Sequence, residues 1–396
     1  MNQLARTVLA ALLLPAAAHA GEWSGYVSGE YRYFPDAPGD PHQHGNNLSF
    51  SAQPEYYHEW DSGRQSLTVV PFARWDQGDS KRSRADIREL NWFKASDNWE
   101  LRAGIGKVFW GVTESQHLVD IINQTDFVEN LDGEDKLGQP MIQLALIRDW
   151  GTVDLFVLPG FRERTFAGAD GRPRFQPRID TGLTRYESSQ EQRHIDYAAR
   201  WSHYLGDWDF GLGYFHGTSR DPTFLPTLNT DGEVVIAPLY EIIDQFSLDL
   251  QATLGDWLWK LETIHRSGQG RRNYAAATGG FEYTFIGIFD SSYDLGLIGE
   301  FLWDERGDEA PTLFNNDTML GARFTLNDAD SSELLLGVIV DNTDQSRMLN
   351  IEGSRRIGQR WKLSIEARAF ANTPPDSLLY GMRKDGYLQF ELARYF

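Results

Sequence analysis

The 396-residue chain contains no cysteine. That excludes disulfide staples, thiol nucleophiles and cysteine-bound metals, and it suits an exported protein that folds without disulfides. It also lacks an apolar run long enough for a membrane helix, which needs about 20 residues. The longest candidate, Val8 to Ala18, is shorter and is broken by Pro15. Bases are scarce: 37 Lys and Arg stand against 57 Asp and Glu, a formal charge of −20. Such a chain repels phosphate backbones, so nucleic acid is not an expected partner. The histidines are few and scattered. His42 and His44 lack a third ligand at a workable spacing, and neither a metal nor another cofactor is expected.

What is present starts with an address. Arg6 supplies a positive n-region, Val8 to Leu14 an apolar stretch, and Ala18-His19-Ala20 a small-x-small cleavage site, so residues 1–20 read as a cleaved export signal. From residue 21 onward the chain reads as one domain. Thirteen per cent of the residues are aromatic and 37 are glycine, a mixture that fits a barrel with a polar lumen and aromatic girdles better than a soluble globule.

Strand-like runs with period-two alternation recur along the chain, and their connections alternate short and long. The expected strands are Trp23–Phe34, Leu48–Trp60, Gln65–Asp76, Asp86–Ala95, Trp99–Lys107, Met141–Arg148, Thr152–Pro159, His194–Leu205 and Trp208–Ser219. They continue as Tyr240–Leu254, Trp257–Arg266, Tyr274–Phe285, Tyr293–Asp304, Asp317–Leu326, Glu333–Asp341, Arg347–Ile357, Trp361–Phe370 and Tyr387–Phe396. The expectation is an all-β, transmembrane, antiparallel up-and-down barrel of about 18 strands, with 16 as the alternative. An even count puts both ends and all the short turns on one side. Trp99, Trp150, Trp208, Trp257 and Trp361 each fall at or beside a short turn, as an interfacial aromatic belt requires.

Alternation assigns faces as well. Trp361, Leu363 and Ile365 point to lipid while Lys362, Ser364, Glu366 and Arg368 point into the lumen. The same registers send Arg32, Arg102, Arg200, Asp209, Lys260, Glu262, Glu300, Glu352 and Arg356 inward. A lumen with both signs of charge is expected to hold water.

Residues 112–138 form the one long connection without loop-like composition. Val112 to Asn123 reads as a short amphipathic helix, and the whole segment as an insertion folded into the pore. Its acids, including Glu114, Asp120, Asp126, Glu129, Asp132, Glu134 and Asp135, would face strand-borne arginines across a constriction and set selectivity. A loop lying over the mouth is the alternative. Arg162, Arg164, Arg172, Arg174, Arg178 and Arg185 concentrate in one loop, and Lys81, Arg82, Arg84 and Arg88 in another region. These clusters read as anion attractors, as contacts to lipopolysaccharide phosphates, or as plain solvated loops.

The closing residues alternate as Leu388, Phe390, Leu392, Arg394 and Phe396, resembling the C-terminal strand of bacterial outer-membrane proteins and implying the barrel-assembly machinery as a partner. Ile87-Arg88-Glu89-Leu90-Asn91-Trp92, then Leu101-Arg102-Ala103-Gly104-Ile105-Gly106-Lys107-Val108-Phe109-Trp110-Gly111, resembles a motif of proteobacterial porin-like channels, including alginate-export-type barrels. The resemblance implies an 18-stranded channel with an inward-folded segment after the Trp-Gly and no cofactor, and it transfers no substrate. The function expected from the whole reading is a passive or gated outer-membrane channel for diffusion or export of a polar, possibly anionic solute such as a saccharide or organic acid. Two other classes stay open. A barrel hydrolase could draw on Ser115, His117 and Asp120, although their spacing is no known catalytic motif, and a structural barrel need not conduct at all.

Overall fold

The computed structural model describes residues 21–375 and 377–396; the segment read as an export signal lies outside them. In chain order the strands are β1 (Glu22–Tyr33), β2 (Asn46–Trp60), β3 (Gln65–Asp76), β4 (Arg84–Ala95), β5 (Trp99–Gly106), β6 (Gln139–Arg148) and β7 (Gly151–Pro159). Next come β8 (Arg185–Tyr186), β9 (Ile195–Leu205), β10 (Trp208–Thr218), β11 (Thr223–Leu228), β12 (Val234–Tyr240), β13 (Ile242–Leu254) and β14 (Trp257–Ser267). The last are β15 (Tyr274–Ile288), β16 (Tyr293–Asp304), β17 (Asn316–Thr325), β18 (Glu333–Asp341), β19 (Arg347–Ile357), β20 (Trp361–Ala371) and β21 (Tyr387–Tyr395).

All but β8, β11 and β12 belong to one 18-stranded antiparallel sheet. It closes on itself where β1 pairs with β21, from Tyr26 opposite Tyr395 to Tyr33 opposite Leu388. Closure leaves no edge of this sheet unpaired. The outer face exposes large apolar side chains such as Trp23, Phe50, Trp75, Leu212, Phe246, Phe301 and Leu320. Trp150, Trp208, Trp257 and Trp361 are exposed near the short-turn end, where indole rings sit between an apolar band and water.

Two local departures matter for the interior. Opposite Pro71 the register slips, with Val70 paired to Glu89 and Pro71 to Ile87. Proline has no N–H to give to the ladder, and the bulge it favours leaves Arg88 unpaired in register and buried. At the other departure, the expected strand Tyr240–Leu254 is split. Tyr240 ends the hairpin β11–β12, to which β8 adds in parallel as a small second sheet over the loop end. These strands escape the pattern because they belong to loops and do not alternate.

The interior is not uniformly polar. Met141, Phe156, Leu158, Ala198, Phe215, Ile243 and Ile264, carried by β6 to β14, form a dry core with Trp110, Val119, Ile121 and Ile122 of the connection after β5. The expectation of a hydrated lumen therefore fails over this sector. There the wall residues are apolar, and the inserted chain fills the space.

Candidate functional site

The inserted segment enters from the loop end of β5. Gly104 has φ +136°, and a Cβ there would lie 2.0 Å from the Leu90 carbonyl oxygen. Glycine is required at that position. The buried indole of Trp110 packs on Phe156 at 5.9 Å and under the Arg200 guanidinium at 5.6 Å. The Trp110 and Gly111 N–H groups donate to Asp120 Oδ1 at 2.7 and 3.0 Å, which ties off a tight loop. Val119, Ile121 and Ile122 are then fully buried against the wall, each burial stabilising the docked state by about 1.5–3 kcal/mol.

The expected helix over Val112–Asn123 does not form; among the described residues the segment is irregular. Its amides are taken by the barrel wall. Glu262, wholly buried on β14, accepts from Val112 N at 2.7 Å, Thr113 N at 2.9 Å, Thr113 Oγ1 at 2.7 Å and Val119 N at 3.1 Å. Glu300 on β16 accepts from Glu114 N at 2.8 Å, Ser115 N at 2.9 Å and Ser115 Oγ at 2.5 Å. Charge-assisted bonds of this kind are roughly twice as strong as neutral ones, so an i→i−4 helix ladder cannot compete for those N–H groups. Acids expected to hold charge for passing solutes instead grip the backbone.

Other expected site residues divide by position. Glu114 Oε2, at the tip of the segment, meets Arg323 Nη2 at 2.6 Å and Lys260 Nζ at 3.7 Å. Arg368 binds Glu366 Oε1 at 2.8 Å, Asp132 Oδ2 at 2.9 Å and Glu352 Oε1 at 3.3 Å. Arg200 pairs with Asp249 at 2.6 Å. Arg32 bonds to Gln389 and to the Glu129 carbonyl, and lies 3.4 Å from Glu30. Arg102 stacks on Phe93 at 5.4 Å. Asp209 and Arg356 are exposed at the turn end, and neither forms an ion pair among the described residues. Asp120 is a loop tie rather than a pore charge.

Sequence reading missed the partners that make this lattice. Arg74 Nε meets Glu129 Oε2 at 2.9 Å, Arg82 meets Glu30 at 2.6 Å and Asp76 at 2.9 Å, and Arg88 meets Asp126 at 2.6 Å, with Arg84 on the same carboxylate. The acids of the segment thus touch the wall arginines directly, with no gap between them. Arg74 and Arg323 lie on inward registers of β3 and β17, so strand alternation carried the signal for both. Arg82, Arg84 and Arg88 are spoken for, as are most arginines of the long loop: Arg162 with Asp86, Arg164 with Asp221, Arg172 with Asp385, Arg174 with Asp40 and Arg178 with Asp180. Exposed Arg185 has no ion pair among the described residues.

Ser115, His117 and Asp120 are not brought together as a catalytic group. The Ser115 hydroxyl is bound to Glu300, Asp120 Oδ1 to backbone, and His117 Nε2 to Glu134 at 2.7 Å with Nδ1 3.6 Å from Glu262. Burial alone would lower the pKa of His117. Its hydrogen bond to Glu134, the Glu262 carboxylate nearby and the charges of both outweigh that and push it up to about 10. The ring is bonded within the segment to Glu134 and turns its Nδ1 edge toward the wall carboxylate of Glu262.

Around the barrel, segment residues bond to β20, β1, β3 and β4 on one side and to β14, β16 and β17 on the other. No hydrogen bond or ion pair joins the segment to β18 or β19 among the described residues. On that arc Gly321 and Gly337 face each other across β17 and β18, on the register that points Arg323 inward. The side chains of Arg323 and Glu352 are 34% and 40% exposed, against 0% for Glu262 and 3% for Glu30, the partner of Arg82. Arg323 and Glu352 are therefore open to solvent on the β17–β19 side, while Met319, Leu335 and Ile339 of β17 and β18 pack with Ile298 and Leu302 in an apolar cluster. At the loop end, Leu131, Phe175, Leu313, Leu379, Met382 and Phe370 cluster over the opening.

A closed, even-stranded antiparallel barrel with an apolar outer band and a charged interior has the architecture of outer-membrane β-barrels. Among solved structures the chain is similar to Wzi of Escherichia coli, described as a carbohydrate-binding β-barrel involved in group 1 capsule assembly. That match has 11% identity, a TM-score of 0.53, and covers 98% of this chain and 87% of that one. A triple mutant of Rhodopseudomonas blastica porin matches at 12% identity and TM-score 0.46 over 95% of this chain and 99% of that one. OmpT of Vibrio cholerae matches at 8% and 0.46 over 97% and 100%. No family model matches the chain, and no curated protein matches it in sequence.

Proposed function

We propose that this protein is an outer-membrane channel for a polar solute, constricted at mid-height by residues 112–138. The observation that carries the reading is the exposure of Arg323 and Glu352 on the β17–β19 side. Among the described residues the segment makes no polar contact with β18 or β19, two glycines carry no side chain there, and Glu114, Arg323 and Glu352 border the remaining opening with both signs of charge. Opposed charges across a narrow opening orient dipolar solutes and exclude apolar ones. In this reading the outer band faces lipid, the short turns face the periplasm, the loops meet lipopolysaccharide, and the strand ending at Phe396 serves the barrel-assembly machinery.

Planar-bilayer recordings of the refolded barrel test this, beside a variant lacking Val119–Asp135. Stable ohmic steps that grow in the deletion support a pore constricted by the segment. A folded barrel that conducts in neither form sinks it. A second reading, a barrel that binds solute at the loop end without conducting, is favoured by the apolar cluster around Leu131, Phe175 and Leu313; silent recordings with retained solute binding would select it.

A further inference from the structure

A cavity of about 1630 Å3, counted out to the solvent at its mouth, lies between the inserted segment, the long loop after β7, the hairpin β11–β12 and the upper ends of β14 to β16. Its walls combine two chemistries. Phe127, Phe175, Phe224, Phe314 and Leu313 give apolar faces drawn from four separate connections. Arg164, Arg220, Arg266, Arg306 and Lys136 line it against Asp120, Asp132, Asp221 and Asp304, and His117 lies among them. In a chain with 57 acids and 37 bases, this is a local reversal of sign.

Three of these guanidinium groups are fixed in place with donors to spare. Asp221 holds Arg164 Nη2 at 2.6 Å and Arg266 Nη1 at 2.9 Å. Asp304 holds Arg306 through Nε at 2.9 Å and Nη2 at 2.6 Å, and the same guanidinium lies 3.5 Å over the Tyr274 ring. Arg164 Nη1, Arg266 Nη2 and Arg306 Nη1 bond to none of the described residues. Pre-positioned guanidinium groups match carboxylates geometrically, and apolar walls with a few convergent polar groups are the usual make-up of a small-molecule site.

We propose that this vestibule is a binding site for organic carboxylates that carry an apolar, ring-sized body. The carboxylate is taken by Arg164, Arg266 and Arg306, and the body by the phenylalanine faces. The proposal names a solute class for the channel proposed above and rests on that reading for transport, whereas binding itself is independent of conduction. A strongly hydrated polyol acid fits less well, because the phenylalanine faces offer its hydroxyls no partners.

Isothermal titration of the full-length barrel in detergent with 3-phenylpropionate tests it. The comparators are 3-phenylpropan-1-ol, which has the body without the charge, acetate, which has the charge without the body, and glucuronate. The acid is expected to bind at least tenfold more tightly than each comparator. Arg306→Gln and Arg164→Gln are each expected to remove that advantage while leaving the alcohol's weak binding unchanged. Should one of the two variants fail to fold, the other decides. Equal binding of acid and alcohol, preference for glucuronate, or no binding by a folded barrel would each overturn the proposal. Conductance of the same preparation separates the two readings: a conducting barrel that ignores the acid loses this inference alone, and a silent barrel that binds it loses the channel alone.

Discussion

Replacing Glu262 and Glu300 by glutamine should convert the fixed constriction into a flickering one. Glu262 accepts four bonds from the segment and Glu300 three. A bond to a charged acceptor contributes about 1.5–3 kcal/mol. A glutamine keeps one accepting oxygen but turns an N–H2 toward Val119 N or toward the Ser115 donors, so each substitution loses at least one bond outright and weakens the rest. That amounts to roughly 3–5 kcal/mol per site. Opposing release are the burial of Val119, Ile121 and Ile122, together about 5–9 kcal/mol, and the ion pairs of Asp126, Glu129 and Asp132 with Arg88, Arg74 and Arg368. The single variant Glu262→Gln should therefore keep the segment docked and the conductance unchanged. The double variant should free Val112–Ser115 while the ion pairs at Asp126, Glu129 and Asp132 still hold the far end, with two-level gating between the native conductance and a partly opened level below that of the Val119–Asp135 deletion. Single-channel recording reads this directly. Steady native conductance in the double variant would refute the view that these carboxylates hold the segment, and full opening in the single variant would show that the apolar docking is overestimated.

Three further outcomes follow from the same geometry. Gly337→Phe, whose Cβ meets only the flexible end of Met319 at 3.4 Å, should leave the barrel folded and cut conductance by more than half, and unchanged conductance would move the path away from β17–β19. Gly104→Ala forces a side chain into the Leu90 carbonyl at a left-handed φ and should destabilise the barrel by about 1–3 kcal/mol, read as a lower midpoint in a urea unfolding titration. His117 has a pKa raised from 6.5 to about 10, so its contribution to docking is complete below pH 6.5 and is lost as pH rises through 10. Conductance noise should therefore grow on the alkaline side only, and His117→Gln should flatten that pH dependence.

Strand alternation was legible because a barrel wall has only two solvents. Each inward residue of Trp361 to Arg368 meets the interior and each outward one meets the apolar side, so faces and register can be read from one strand at a time. The same rule gave the inward placement of Arg368 and Glu300 without any knowledge of their partners. The motif around Gly104 and Trp110 implied, through its resemblance, an inward-folded segment after Trp110-Gly111, and in the fold Gly104 passes so close to the Leu90 carbonyl that a Cβ would not fit.

What the lumen charges do was not legible. Whether Glu262 faces water or grips the amides of Val112 and Thr113 depends on a segment 149 and 150 residues away in sequence, and no local pattern encodes such a meeting. Val112–Asn123 reads as a helix from its own periodicity, but the wall carboxylates win its N–H groups and the helix is lost. The arginines of the long loop look like a basic patch in sequence, and the fold pairs most of them with acids from distant loops. The sequence alone determined the barrel, its strand number and its two faces, because these rest on short-range alternation. Which charges are anchors, which are open to water, and where the arc of β17–β19 stays free were decided by tertiary structure, because each of these depends on which distant residues share the interior.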